Sequence, residues 1–169
     1  MGGLSPLQFF KGMLPAIMFA FSSASSVGTL PINLECVEKL GSDREIASFV
    51  LPLGATINMD GTAIYQGVCA IFIASCYGIN LTLSQMLTVI LTATLASIGT
   101  AGVPGAGMVM LAMVLTSVGL PVDGIALVAG VDRIFDMVRT AVNITGDAVC
   151  TTIVAKQNNA LDLEVFNKD

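Results

Sequence analysis

A regular stripe of polar side chains runs along the last long apolar segment of the chain. Five of them recur at intervals of four, four, three and four residues: Asp132, Asp136, Thr140, Asn143 and Asp147. At 3.6 residues per turn they share one face of a helix, and Arg139 lies beside them. Such a face is either the solvated side of an amphipathic helix or the wall of an internal cavity. The apolar composition of the remaining chain favours the cavity.

The chemistry of this stripe suits a zwitterion that carries a second carboxylate. Asp136 can accept an ammonium group, and the planar guanidinium of Arg139 can hold a carboxylate through two parallel hydrogen bonds. Asn143 can bond either end of such a ligand. Asp147, one turn further along, remains as a ligand for a cation.

A second polar interruption, "NMDG", divides an apolar stretch at residues 58–61. A helix broken there frees the backbone carbonyls of Gly54, Thr56 and Asn58, which need partners inside hydrocarbon. These carbonyls and the Asp60 carboxylate predict an oxygen site suited to an alkali cation. With no His and no metal-binding spacing among the four cysteines, neither a transition metal nor a disulfide framework is expected. The alternative is that Asp60 is a structural helix-break residue; the cost of an intramembrane carboxylate favours a functional role.

The composition predicts an all-α membrane protein. Only 11% of the 169 residues are charged, the mean hydropathy is +0.85, and the 62 residues between Asp60 and Asp123 carry no charge. Soluble domains contain about 25% charged residues, and one membrane crossing needs roughly 20 apolar residues. A soluble domain consisting largely of core is the alternative. No basic patch supports nucleic-acid binding.

The order of elements predicts two repeats of a re-entrant helical hairpin followed by a transmembrane helix. Small residues and prolines form the hairpin tips, "SSASSVGTLP" at 22–31 and "SIGTAGVPGAG" at 97–107. Both tips contain Ser, then Gly-Thr, then Pro. Duplicated units with broken helices point to a transporter binding site near the middle of the membrane. The final residues, "QNNALDLEVFNKD", are predicted to be an exposed and partly disordered polar tail.

Four motifs in order, "SSASSVGTLP", "NMDGT", "ASIGTAGVPGAG" and "DMVRTAVNITGD", resemble the glutamate/aspartate transporter family of dicarboxylate/amino acid:cation symporters. The resemblance extends from about residue 5 to residue 157. It implies a transport-domain core at residues 1–157 and a polar tail at 158–169. The core comprises four implied elements: HP1 at about 5–40, TM7 at about 45–78 and broken at NMDG, HP2 at about 84–119, and TM8 at about 122–156.

The family implies sodium-coupled transport of L-aspartate or L-glutamate by an elevator-type transport domain, with HP2 as its gate. Sodium is the implied coupling ion, and no cofactor is expected. The implied partners also include the lipid bilayer and a homotrimer formed through scaffold helices. Because the region that precedes HP1 is missing, we expect a transport-domain piece from a shortened gene or a shortened product. We expect a multi-pass protein of a bacterial or archaeal inner membrane.

The resemblance also implies the ligand contacts. The substrate contacts are Ser25, Ser26, Thr62, Val103, Gly107, Asp136, Arg139, Thr140 and Asn143. One sodium ion would be bound by the carbonyls of Gly54, Asn58 and Asn143 with the Asp147 carboxylate. A second would use the carbonyls of Thr56, Ser97, Ile98 and Thr100, with the Met59 sulfur nearby. A third would use Asn58 and Asp60, together with residues of an earlier helix, TM3, that this chain lacks.

The sequence departs from the family at three positions. Ala24 and Met137 stand where members usually carry a second arginine near the substrate, and Gln66 stands where potassium-coupled animal members have a glutamate. Three alternatives remain open: a non-transporting fragment, a neutral amino acid carrier, and a C4-dicarboxylate carrier. An enzyme is not expected, since an intramembrane aspartyl protease would carry "YD" and "GxGD", and neither occurs.

Overall fold

The computed structural model describes residues 3–167, which fold into helices with one isolated antiparallel bridge between Ser42 and Leu161. The predicted all-α class is confirmed. The helices are α1 (Pro6–Ser23), α2 (Ser26–Lys39), α3 (Arg44–Ile57), α4 (Asp60–Cys76), α5 (Leu83–Ile98), α6 (Ala106–Ser117), a 3₁₀ turn (Val122–Gly124), α7 (Ile125–Ala129), α8 (Asp132–Gln157) and α9 (Leu163–Phe166). The division into two repeats remains a prediction.

The first tip is much shorter than expected. Only Ala24 and Ser25 separate α1 from α2, and α2 includes both Gly28 and Pro31. The Ser25 side chain caps α2 by accepting a hydrogen bond from the Gly28 N–H at 3.0 Å. Thr29 on the same helix is completely buried. Packing of this face overrides the weak helix propensity of the small residues, which had predicted a break across residues 22–31.

A break between α3 and α4 lies where the sequence predicts it. Asn58 and Met59 have non-helical backbone angles, and α4 resumes at Asp60. The whole stretch Arg44–Cys76 is apolar and long enough to cross a membrane. The shorter helices α5 and α6 are apolar as well. The second tip, residues 99–105, connects these two helices.

Helix α8 occupies the centre of the molecule and packs against α1, α2, α3 and α4. One apolar core lies between α1, α2, α3 and the second half of α8, and the other joins α4, α5 and α6 to α7. The sequence predicted one helix from about residue 122 to 156. The structure instead has the 3₁₀ turn, α7 and an interruption at Gly130 and Val131.

The segment after α8 folds back on the base of the first hairpin. Most of its side chains are exposed, as the sequence predicts, but Phe166 is buried and attaches it to the hairpin. Phe166 is only 1% exposed and belongs to the same core as Phe9 and Met13. The Asp162 N–H donates to the Gly41 carbonyl at 2.9 Å, and the Asp162 side chain caps α9. Two apolar residues explain the difference, because "LDLEVF" can bury Leu161 and Phe166 within an otherwise polar segment. Residues 168 and 169 of the predicted tail lie outside the described residues.

Candidate substrate and cation site

A small cavity lies where the two tips, the α3–α4 break and α8 meet. Its volume is about 10 Å³, room for roughly one water molecule. It brings together all but one of the predicted substrate contacts: Ser26, Thr62, Val103, Gly107, Asp136, Arg139, Thr140 and Asn143. Three residues of the α8 stripe, Asp136, Thr140 and Asn143, therefore line this cavity. Asp132 and Asp147 are buried as well, so the solvated alternative does not hold for the stripe.

Arg139 is held by carboxylates of its own helix. Its Nε donates to Asp136 Oδ1 at 3.0 Å, and its Nη1 donates to Asp132 Oδ1 at 3.1 Å. Its Nη2 lies 2.8 Å from Asp136 Oδ1 but is not aligned for a hydrogen bond. The guanidinium also stacks 4.4 Å from the ring centre of Tyr65, whose hydroxyl donates to Asp132 at 2.6 Å. The sequence had assigned Arg139 and Asp136 to opposite ends of a ligand, whereas here they pair with each other.

Asn143 joins the helix break to α8. Its Oδ1 accepts the Gly61 N–H at 2.8 Å, which satisfies a donor at the first turn of α4. Its Nδ2 lies 3.2 Å from the Met59 sulfur and 3.3 Å from the Thr62 hydroxyl oxygen. The close approach requires glycine at 61, since a Cβ there would lie 2.6 Å from the Arg139 carbonyl oxygen. Asn143 therefore has a structural role at the break besides its predicted ligand role.

The predicted ligands of the first sodium ion lie together. The Asn58 side-chain amide donates to Asp147 Oδ1 at 2.9 Å and to the Asn143 carbonyl at 3.4 Å. A Cβ on Gly54 would lie 2.5 Å from Asp147 Oδ1, so the α3 backbone is in contact with this carboxylate. The Gly54 carbonyl accepts the Asn58 N–H at 2.7 Å and is therefore not free, contrary to the prediction. Asp147 itself is 1% exposed.

The predicted ligands of the other two sodium ions are less closely gathered. Asp60 is exposed, and it approaches Gly146, which Asn58 also contacts. In the second set, the Met59 sulfur faces Asn143, and the Ser97 carbonyl accepts the Thr100 N–H at 3.0 Å. Thr56 and Ile98 are exposed. No cluster of three or more His, Cys, Asp or Glu side chains suited to a metal occurs within residues 3–167.

Ser25 is the predicted substrate contact that does not line the cavity. Its hydroxyl instead donates to the Gly102 carbonyl of the second tip at 3.0 Å. Two further residues belong to the site, although the sequence assigned them no role. Asp132 lay on the recognised stripe, four residues before Asp136. Tyr65 lies one turn after Thr62 on the inner face of α4, and this spacing was the signal for it.

A membrane carrier is the class that these features define, because broken helices and buried polar groups in an apolar bundle mark a solute site. The family model described as sodium:dicarboxylate symporter family matches residues 1–157. The chain therefore belongs to the sodium:dicarboxylate symporter family. This is a family of transporters and not of enzymes, and membership makes the chain part of a membrane protein.

Several animal proteins are similar to this chain. It is 50% identical to an excitatory amino acid transporter of Caenorhabditis elegans over 97% of its own length and 33% of the relative. It is 51% identical to excitatory amino acid transporter 2 of Mus musculus over 89% of this chain and 26% of the relative. The match to excitatory amino acid transporter 5 of Homo sapiens is 51% identical, over 89% and 27% of the two chains.

The chain thus spans about a third or less of the length of these curated relatives. Each of them comes from an animal, so the expectation of a bacterial or archaeal inner membrane is not borne out.

Proposed function

We propose that this chain forms the substrate- and ion-binding part of a sodium-coupled carrier of acidic amino acids. The observation that carries the proposal is the small cavity in which Asp136 and Arg139 lie side by side, with an oxygen cluster around Asp147 nearby. One buried anion and one buried cation complement the ammonium and side-chain carboxylate of aspartate or glutamate. The printed names of the relatives, excitatory amino acid transporters, agree with this substrate class.

Binding requires an exchange of ion pairs. Arg139 bonds Asp136 and Asp132, so a ligand must separate Arg139 from Asp136 to reach both groups. The ligand's ammonium then replaces the guanidinium on Asp136, and the guanidinium turns to the ligand's carboxylate. Each buried charge keeps a partner throughout, which avoids the cost of about 3–5 kcal/mol for leaving one unpaired. The ten-cubic-ångström cavity must also expand.

The charges around the cavity explain why cations would accompany the substrate. Asp132 and Asp136 both lie against the single guanidinium of Arg139, and Asp147 is buried one turn beyond Asn143, so an acidic amino acid adds negative charge to an already acidic site. In a medium of low dielectric such repulsion is large. Sodium ions taken up as co-substrates offset it, and the oxygens of the Asp147 carboxylate and of the Asn143 carbonyl are of the kind that binds them.

The remaining parts of the proposal follow the family. HP2, formed by α5, α6 and residues 99–105, serves as the gate. The chain moves as an elevator-type transport domain, and the complete protein is a homotrimer in the bilayer. The exposed apolar side chains on α4, such as Ile64 and Val68, fit a unit that is surrounded by lipid or by other helices.

The test is uptake by proteoliposomes that contain the protein in its complete natural form. Aspartate and glutamate should accumulate when sodium is outside and should not accumulate in choline. Alanine and succinate should compete at least tenfold less well, because alanine lacks the second carboxylate and succinate lacks the ammonium. Accumulation of alanine or succinate in preference to aspartate supports the neutral or C4-dicarboxylate alternative and overturns the proposal. Specific binding of aspartate without any uptake supports the non-transporting alternative.

A further inference from the structure

The carbonyl of Gly102, at the middle of the second tip, receives two hydrogen bonds from the first tip. The Ser25 hydroxyl donates to it at 3.0 Å, and the Val27 N–H donates at 3.2 Å. Val27 lies in the first turn of α2, where backbone N–H groups have no partner within the helix. The Gly102 carbonyl therefore completes the capping of α2, and it places its partial negative charge at the positive end of that helix. We call Ser25, Val27 and Gly102 the tip clasp.

The clasp includes a tight approach of the second tip at Gly102. A Cβ on Gly102 would lie 3.0 Å from Val27 Cγ2 and 3.3 Å from the Ala55 carbonyl oxygen. Both distances are shorter than ordinary van der Waals contact, and the second involves backbone that cannot turn away. The second tip thus rests directly on the backbone of α2 and of the end of α3.

Few other interactions hold the second tip in place. Val103 is 51% exposed, and Ala101 and Pro104 are exposed as well. Besides the clasp, one more hydrogen bond joins the second tip to α8: the Gly105 N–H donates to Asp136 Oδ2 at 2.8 Å. A segment with little apolar burial opens locally at low cost, so each of these hydrogen bonds is a substantial part of what keeps it closed. Opening the tip exposes the cavity, since Ala101, Gly102 and Val103 form part of its lining.

We propose that the tip clasp sets the equilibrium between a closed and an open cavity, and that Ser25 acts as a positioning residue for the gate. The inference rests on the proposed function, because it concerns access to the same cavity. It assigns to Ser25 a role through Gly102, in place of the substrate contact that the resemblance implies. One further consequence concerns Asp136, which contacts both the tip, through Gly105, and Arg139. A ligand that draws Asp136 away from Arg139 therefore also affects the hydrogen bond between Asp136 and the Gly105 N–H of the second tip.

The key variant is Ser25→Asp. A carboxylate at the cap position still accepts the Gly28 N–H, but it cannot donate to the Gly102 carbonyl and repels its oxygen. Ser25→Asp therefore removes the clasp and keeps the helix cap, whereas Ser25→Ala would remove both. Ser25→Thr keeps both the donor and the acceptor and is the conservative rescue. Ser22→Ala is the matched control, since the Ser22 hydroxyl donates to the Phe19 carbonyl of its own helix.

Gly102→Ala attacks the clasp from the other side and leaves the cap of α2 intact. Its added methyl group crowds Val27 Cγ2 and the Ala55 carbonyl oxygen, so that the tip or these neighbours shift by a few tenths of an ångström. If Gly102→Ala and Ser25→Asp have the same effect on the second tip, the lost contact between the tips is the cause. A general weakening of α2 is then excluded, because Gly102→Ala does not alter the cap of that helix.

The measurement is the mobility of a spin label on residue 101, in the complete protein reconstituted in lipid, with exposed Cys76 and Cys150 replaced by serine. Without ligand, Ser25→Asp and Gly102→Ala should raise the ratio of mobile to immobile label about 3- to 10-fold, the equivalent of one neutral hydrogen bond. Ser25→Thr and Ser22→Ala should stay within twofold of the parent. Equal mobility in Ser25→Asp and the parent overturns the clasp.

Aspartate binding then separates this inference from the proposed function. If closure over the ligand uses the clasp, Ser25→Asp and Gly102→Ala should raise the Kd for aspartate by the same 3- to 10-fold, mainly through faster dissociation. Should the parent bind no aspartate while the label still responds to the variants, the clasp stands and the proposed substrate is wrong. If the variants loosen the label but leave the Kd unchanged, the clasp does not control access to the cavity and the inference fails.

Discussion

The glycine at 61 offers the sharpest test of how closely α4 and α8 must pack. A Cβ on Gly61 would lie 2.6 Å from the carbonyl oxygen of Arg139 and 2.9 Å from its Cα. These are backbone atoms in the middle of a helix, so no side-chain rotation can make room. An alanine at 61 must push the helices apart by about 0.8 Å to restore a contact of 3.4 Å. Gly67 on the same helix has no atom within 4 Å of its ideal Cβ, which makes Gly67→Ala the matched control.

The two variants are expected to change the free energy of unfolding in opposite directions. Overpacking costs about 1–3 kcal/mol, and losing the hydrogen bond from the Gly61 N–H to Asn143 costs about 1 kcal/mol more. The better helix propensity of alanine returns about 1 kcal/mol. Gly61→Ala should therefore lower the free energy of unfolding by about 1–3 kcal/mol. Gly67→Ala gains only the better helix propensity of alanine, and it should raise the free energy of unfolding by about 0.5–1 kcal/mol.

The assay is reversible unfolding in detergent micelles, followed by circular dichroism, for the parent and both variants of the complete protein. Aspartate affinity provides a second readout, because Gly61→Ala displaces Asn143 and the Arg139 backbone while Gly67→Ala leaves the cavity intact. We expect at least a tenfold loss of affinity for Gly61→Ala alone. Equal unfolding midpoints for the two variants would refute the argument that backbone contact between α4 and α8 holds the site together.

Three further predictions concern charge, coupling and the end of the chain. Arg139→Gln should weaken aspartate binding by at least a hundredfold in calorimetry, because removing a buried charge partner costs about 3–5 kcal/mol, while Arg133→Gln on the exposed face of the same helix should change it less than threefold. Gln66 is fully buried and neutral, so uptake into liposomes at clamped voltage should proceed equally with internal potassium or choline; a severalfold acceleration by potassium would contradict this. Phe166→Ala should lower the free energy of unfolding by about 3–5 kcal/mol. Leu163 is 46% exposed, so Leu163→Ala should lower it by less than about 1 kcal/mol. Similar losses for both variants would show that Phe166 does not anchor the end of the chain.

The sequence was sufficient to place the main polar groups of the site. The stripe on α8 follows helical periodicity, and periodicity alone determines which side chains share a face. The apolar context then decided that this face looks inward. The break at Asn58 and Met59 was predictable for a related reason, since polar residues inside an apolar span must bond something other than lipid.

The pairing of those groups was not predictable from sequence. Whether Arg139 reaches a ligand or its own neighbours depends on rotamers and on the position of Tyr65 in another helix. Likewise, the Gly54 carbonyl was expected to be free, but the local turn supplies the Asn58 N–H as its donor. The short first tip depended on packing of α2 against α8, which no local rule includes. Ser25 faces Gly102 because two segments distant in sequence meet there.

The attachment of α9 to the first hairpin has a consequence for the order in which the protein is made. Gln8 bonds the carbonyl of Asn167, 159 residues later, and Phe166 completes the core around Phe9 and Met13. At about 5–20 residues per second, the ribosome needs roughly 10–30 s to supply those partners after α1 emerges. During that interval the core at the base of the first hairpin lacks Phe166, although Leu51 and Ile144 can already pack there. A chain that stopped at the end of α8 would therefore contain every residue of the cavity and still lack the side chain that completes this core.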